Sequence, residues 1–88
     1  MEGRKSVLKN KFDKIIDDIY HEYCSACKIH PHWPEDPIHA VSIMNEEAGE
    51  SIRAALNYVY EDGSLEDLKK ELIQTAAMCI RALINIKE

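Results

Sequence analysis

The sequence predicts an all-α protein of three amphipathic helices. Apolar residues recur three and four apart through long segments, no stretch alternates with the period of a strand, and the few glycines and prolines punctuate the chain at helix boundaries. From Val7 to about Tyr23 the residues Leu8, Phe12, Ile15, Ile16, Ile19 and Tyr23 keep helical spacing, which predicts a first helix over about residues 7–26. Three prolines and Trp33 then predict an ordered loop over 28–36. Asp36-Pro37 reads as an N-cap followed by proline at the first helical position, where its missing N–H costs nothing, and opens a second helix over about 37–61. Asp62-Gly63 is a stop, and Ser64-Leu-Glu-Asp67 has the form of a capping box, so a third helix runs over about 65–86.

The later helices each carry two non-solvent stripes. On the second, Val41, Met44, Ala48, Ile52, Ala55 and Val59 are expected to form the core face; Ala40, Ile43, Glu47, Ala54 and Tyr58 lie about 100° round. On the third, Leu65, Leu68, Leu72, Ala76, Cys79, Leu83 and Ile86 form the expected core face, beside Glu71, Gln74, Met78, Ala82 and Asn85. The neighbouring stripes mix small residues with carboxylates, as the walls of a shared site or a subunit interface would.

At 88 residues the chain is one domain, 1–88, with room for only a modest core unless copies associate. Sixteen acidic and eleven basic residues give a net charge of −5, which argues against a nucleic-acid binder working by counterion release and suits a divalent metal or small ligand. The charged start MEGRKSVLKNKF is unlike a signal peptide, and no apolar run is long enough for a membrane span. Three cysteines, an odd count, predict reduced thiols and a cytoplasmic protein.

Asn45-Glu-Glu-Ala-Gly-Glu50 places Glu47 and Glu50 about 60° apart on a helix, so both carboxylates can converge on one ion. Such like charges repel unless a cation or a raised pKa relieves them. Glu71 and Gln74 repeat the spacing on the third helix, and antiparallel packing would gather four oxygen-bearing side chains of the kind magnesium takes.

The run from Asp36 to Glu50, followed after twenty residues by Glu71-Leu-Ile-Gln-Thr-Ala-Ala77, resembles the MazG-like all-α nucleoside triphosphate pyrophosphohydrolases. That family is marked by E-E-x-x-E on one helix and E-x-x-D on the next. Glu46, Glu47 and Glu50 match the first part and Glu71 the start of the second, while Gln74 stands where the family usually has aspartate. The resemblance covers about residues 36–86. It implies cleavage of an NTP or dNTP to the monophosphate and pyrophosphate with Mg2+, or Mn2+ in its place. By position, Glu47, Glu50, Glu71 and Gln74 would hold the metal, and Glu46 and Glu47 would be the catalytic pair, Glu46 supporting the ligands or helping to activate water. An uncharged Gln74 implies a looser metal and a slow or altered enzyme. The rival expectation is a non-catalytic helical module for oligomerisation or nucleotide sensing. The family's usual fourth helix has no counterpart, which predicts a homodimer or homotetramer that completes a four-helix arrangement.

Arg53, Arg81, Lys69 and Lys70 are candidates to meet phosphates, and Trp33 and Tyr58 to stack on a base. His21, Cys24, Cys27 and His30 fan over roughly 180° if helical, too wide for one tetrahedral ion. A zinc site would need the helix to break near Cys27 and recruit Cys24, Cys27, His30 and His32. The same segment, running into a loop that bears Trp33, is otherwise expected to edge the nucleotide pocket.

Overall fold

A computed structural model describes residues 2–87 as three helices, α1 (Glu2–Ile29), α2 (Pro37–Tyr60) and α3 (Leu65–Asn85), with no strand among the described residues. The caps act as expected. The Asp36 carboxylate accepts from the Ile38 N–H with Pro37 behind it, and the Ser64 hydroxyl oxygen accepts from the Asp67 N–H at 3.0 Å. Between them Asp62 takes a left-handed φ of 60°, and the N–H groups of Glu61 and Gly63 both return to the Asn57 carbonyl. Glycine is required at position 63, because a Cβ there would meet the Asn57 Cβ at 2.8 Å.

α1 is longer than expected at both ends. The apolar stripe begins at Val7, but the polar residues before it are compatible with a helix and extend it to Glu2. At the other end the helix does not break at Cys27. It continues to Ile29, and His30 still donates to Ala26 at 2.8 Å; the chain leaves the helix only at the residue before Pro31, where the proline ring disfavours helical backbone.

Both α1 and α2 pack on α3 and make no close backbone approach to each other. Residue pairs on shared hollows (Glu47 with Gln74, Glu50 with Glu71) run antiparallel between α2 and α3, whereas α1 lies parallel to α3. α3 is thus the floor of a cleft walled by α1 and α2.

The expected core stripes of α2 and α3 are only part-buried, at Met44, Ala48, Ala55, Leu68, Ala76 and Cys79. Val41, Ile52 and Val59 on α2 and Leu65, Leu72, Leu83 and Ile86 on α3 are exposed. What is buried is Ala40 and Ser51 on α2 and Ala77, Arg81 and Ala82 on α3, of which only Ala40 and Ala82 belong to the stripes expected to serve a site or interface. The physical reason is reach: small side chains let the two helices approach closely, and the Ser51 and Thr75 hydroxyls pair across the crossing at 3.0 Å. Leucines and isoleucines there would hold the helices apart.

The large apolar side chains are left outside. The chain exposes 7042 Å2, where a compact monomer of its mass exposes about 5,300 Å2. Its radius of gyration is 15.2 Å, against about 12 Å for a compact chain of this length. Every residue from Lys5 to Asp17 on α1 is exposed, including Leu8, Phe12, Ile15 and Ile16. No helix among the described residues is long and apolar enough to cross a membrane.

Candidate functional site

The α1–α2 cleft has a volume of about 490 Å3 and is lined by Glu22 and Ile29 from α1, Trp33 from the loop, Glu47 from α2, and Gln74 and Arg81 from α3, among others. A neighbouring hollow of about 190 Å3 at the turn end of the α2–α3 pair holds Glu50, Arg53, Lys70 and Glu71. The expected metal set is therefore divided: Glu47 and Gln74 face the cleft, Glu50 and Glu71 the adjacent hollow. Glu46 is exposed and lines neither, and Tyr58 is 44% exposed and outside both.

Electrostatics reconnects the two hollows at Glu47. Its part-buried carboxyl is pushed above the ordinary glutamate range, first by burial and then by the charges of Glu71, Glu50, Glu22 and Glu46. Arg53 relieves only the far side, lying 3.9 Å from Glu50 with both side chains largely exposed, where an ion pair is worth little. The donor chemistry fits a hard divalent cation: oxygen ligands, excess negative charge, and a carboxyl that burial and like charges destabilise as an anion. Among the described residues no three His, Cys, Asp or Glu side chains come close enough to hold an ion between them. An ion there would therefore take fewer direct protein ligands, with water and phosphate oxygens completing its shell, as magnesium commonly does.

Arg81 is placed as a clamp. It is 3% exposed, its guanidinium donates to the carbonyls of His30 at 2.6 Å and Ala26 at 3.5 Å, and its Cζ lies 4.7 Å from the Trp33 ring centroid. It thereby satisfies carbonyls at the C-terminal end of α1, adds positive charge where the helix dipole is negative, and holds the loop against the bundle. Two of its donors are committed to the backbone, so its part toward phosphate is indirect. The Arg81 Nε–H and the Trp33 indole N–H are buried with no acceptor among the described residues, although both residues line the cleft. Lys87 ties the far end of α3 to the loop through Glu35 at 3.3 Å.

The cysteine segment forms one cleft wall. Ser25, Ala26, His30 and His32 line the cleft, whereas Cys24 and Cys27 do not. The thiols instead stand one turn from tyrosines, and hydrogen bonding to Cys24 and Cys27 pushes the Tyr20 and Tyr23 hydroxyls upward. The helix break that a zinc site needs is not present at Cys27.

Glu22 is the cleft residue that spacing did not single out. Its signal was available: Ile15, Ile19 and Glu22 continue one helical stripe, and a carboxylate stands where an apolar residue is due. Comparison with protein-family models, with curated proteins and with solved structures finds no match to this chain.

Proposed function

We propose that the chain is a MazG-like, magnesium-dependent nucleoside triphosphate pyrophosphohydrolase that works as a homo-oligomer. The observation that carries the reading is Glu47: a part-buried carboxylate on a cleft wall, opposed by Glu71 and Glu50 and without a cationic partner among the described residues. A folded protein that holds such a group bears a cost that a bound cation removes. Glu47 on α2 and the Gln74 side-chain oxygen on α3, which line the cleft, would hold the metal with the substrate phosphates, and Glu50 and Glu71 in the adjacent hollow would reach its shell through water. A magnesium ion so held would neutralise phosphate oxygens and acidify an attacking water.

The chain's own groups then supply the rest. Water adds to phosphorus, the bond between the α phosphorus–β phosphorus bridging oxygen and one of its phosphorus atoms breaks, and the electron pair leaves with that oxygen, giving monophosphate and pyrophosphate. Glu47 would be engaged by the cation, so the exposed Glu46 beside it would be the carboxylate left to help activate the water. Trp33 offers a ring wall for a base at the loop end, and Lys70 and Arg53 offer positive charge beside Glu50 and Glu71 for the phosphate end.

The outer faces support self-association. The excess over a compact monomer is about 1,700 Å2 per chain, the scale of an obligate interface. A second copy covering α1 would complete a four-helix arrangement.

The test is pyrophosphate release from a panel of NTPs and dNTPs with Mg2+ or Mn2+, comparing wild type with Glu47→Gln. Release by wild type and its loss by at least about a hundredfold in the variant is the expected result. Equal release by both removes the site. A folded, oligomeric wild type that releases nothing favours the non-catalytic module, for which Gln74 is the specific observation.

A further inference from the structure

We infer that a second copy of the chain docks on the face of the α2–α3 pair turned away from the cleft, so that two such pairs stack as four helices and each cleft opens outward; this rests on the homo-oligomer reading above and gives it a surface. Ser51 and Thr75 mark the seam between the two helices. On the helical wheel the cleft residues Glu47 and Gln74 lie to one side of that seam, whereas Val41, Ile52 and Val59 on α2 and Leu65, Leu72 and Leu83 on α3 lie about a quarter-turn to the other. Because the helices run antiparallel, the same sense of rotation leads to the same side of the pair, and the two apolar stripes form one face. Its side chains are open in the protomer: Ile52 is 64% exposed, Leu72 53% and Leu83 75%. α1 continues the face at Ile15, which shares a hollow with Leu72 and Ile73.

The spacing fits a helical occupant. Val41, Asn45, Ala48, Ile52, Ala55 and Val59 fall alternately four and three residues apart, the repeat that seats one helix against another. On α3, Leu65, Leu68 and Leu72 and then Ala76, Cys79 and Leu83 fall three and four apart. Each stripe is about 27 Å long at 1.5 Å per residue, so a partner with the same helix lengths covers both. The charge pattern allows that partner to be a copy. Every charged side chain of α2, Glu46, Glu47, Glu50 and Arg53, lies on the opposite half of the helix, and Lys69 is the charged residue nearest the α3 stripe. A two-fold contact sets the face against itself, which a surface of one charge would resist and this one does not. The area also suits a copy. An excess exposure of about 1,700 Å2 per chain gives about 3,400 Å2 for two, within the range of obligate homodimers.

The test is sedimentation velocity across a dilution series, with circular dichroism to follow the helices. Wild type is compared with Ile52→Glu plus Leu83→Glu, with Ile52→Lys plus Leu83→Lys, and with His39→Glu on the charged half of α2. Wild type and His39→Glu are expected to sediment as the same oligomer. Each charged pair is expected to keep its helices and to weaken association by about a hundredfold or more, since docking would bury charges without partners. An equal mixture of the glutamate and lysine variants is expected to recover the assembly, which a defect in folding would not allow. Charged pairs that remain oligomeric overturn this face and leave the homo-oligomer reading standing, with its interface elsewhere. A monomeric wild type leaves the face to a different protein and overturns that reading and the inference together. Charged pairs that dissociate and do not recombine on mixing, with or without their helices, overturn self-pairing through this face.

Discussion

The seam between α2 and α3 and the outer faces of the same helices are chemical opposites. The seam is built from Ala40, Ser51 and Ala82 with a hydroxyl pair, and the outer faces carry Val41, Ile52, Val59, Leu72 and Leu83 in the open. A monomer would place them the other way round, because burying large apolar side chains is the main favourable term in folding. The difference teaches that the chain is shaped by its cleft: the close approach of α2 to α3 sets Glu47 beside Gln74 on the cleft lining, and the apolar surface left over is what, on the proposed reading, a second copy would cover.

That contrast can be broken from outside. Phe12→Asp with Ile16→Asp introduces charge on α1 at positions that are 62% and 47% exposed in the protomer. On a true surface these changes would cost within about 0.5 kcal/mol each. If the face is covered by a partner, the pair is expected to lower stability by about 3 kcal/mol or more and to dissociate the assembly in sedimentation velocity. A stable variant of unchanged mass would show that the stripe is not an interface.

It can be broken from inside with a smaller effect. Ala77→Leu adds bulk at a position that is 0% exposed and lies one turn before Arg81 on the side of α3 turned to α1, and should cost about 1–3 kcal/mol in urea unfolding while pushing α1 from α3. The outward neighbour Leu72→Ala, in the isolated protomer's terms a surface change, is the companion measurement.

The smallest effect sharpens the electrostatic side. A carboxyl whose pKa is raised on folding contributes stability that is full below the unfolded glutamate value and is lost as pH rises through the folded one. Metal-free protein should therefore lose stability as pH rises above about 4.3, driven at Glu47 by burial and by Glu71, Glu50, Glu22 and Glu46. Glu47→Gln, which cannot ionise, should be the more stable form at neutral pH and match wild type in acid. Superimposable thermal-melt profiles across that range would mean that Glu47 is not under this strain.

Helix number, caps and the order of the loop are legible in the sequence because they depend on local chemistry: Asp36-Pro37, Asp62-Gly63 and Ser64 with Asp67 act within a few residues. The choice of inner face is not local. A hydrophobic stripe says that a surface is covered, not by what, so Val41 and Ile52 read as core although the protomer leaves them exposed. Glu47, Glu50, Glu71 and Gln74 are found from spacing and resemblance, but their division between two hollows depends on how α2 crosses α3. Arg81 reads as a phosphate contact because its backbone acceptors lie 51 and 55 residues away on another element. Glu22 joins the cleft lining only through the parallel packing of α1 on α3.

The central claim is that the carboxylates around Glu47 bind a divalent cation together with a nucleotide. Calorimetric titration of Mg2+ into protein bearing a non-cleavable nucleoside triphosphate tests it most directly, in wild type and Gln74→Asp. Measurable binding is expected in wild type, and binding tighter by about tenfold when aspartate replaces glutamine. No magnesium binding in either protein would contradict it.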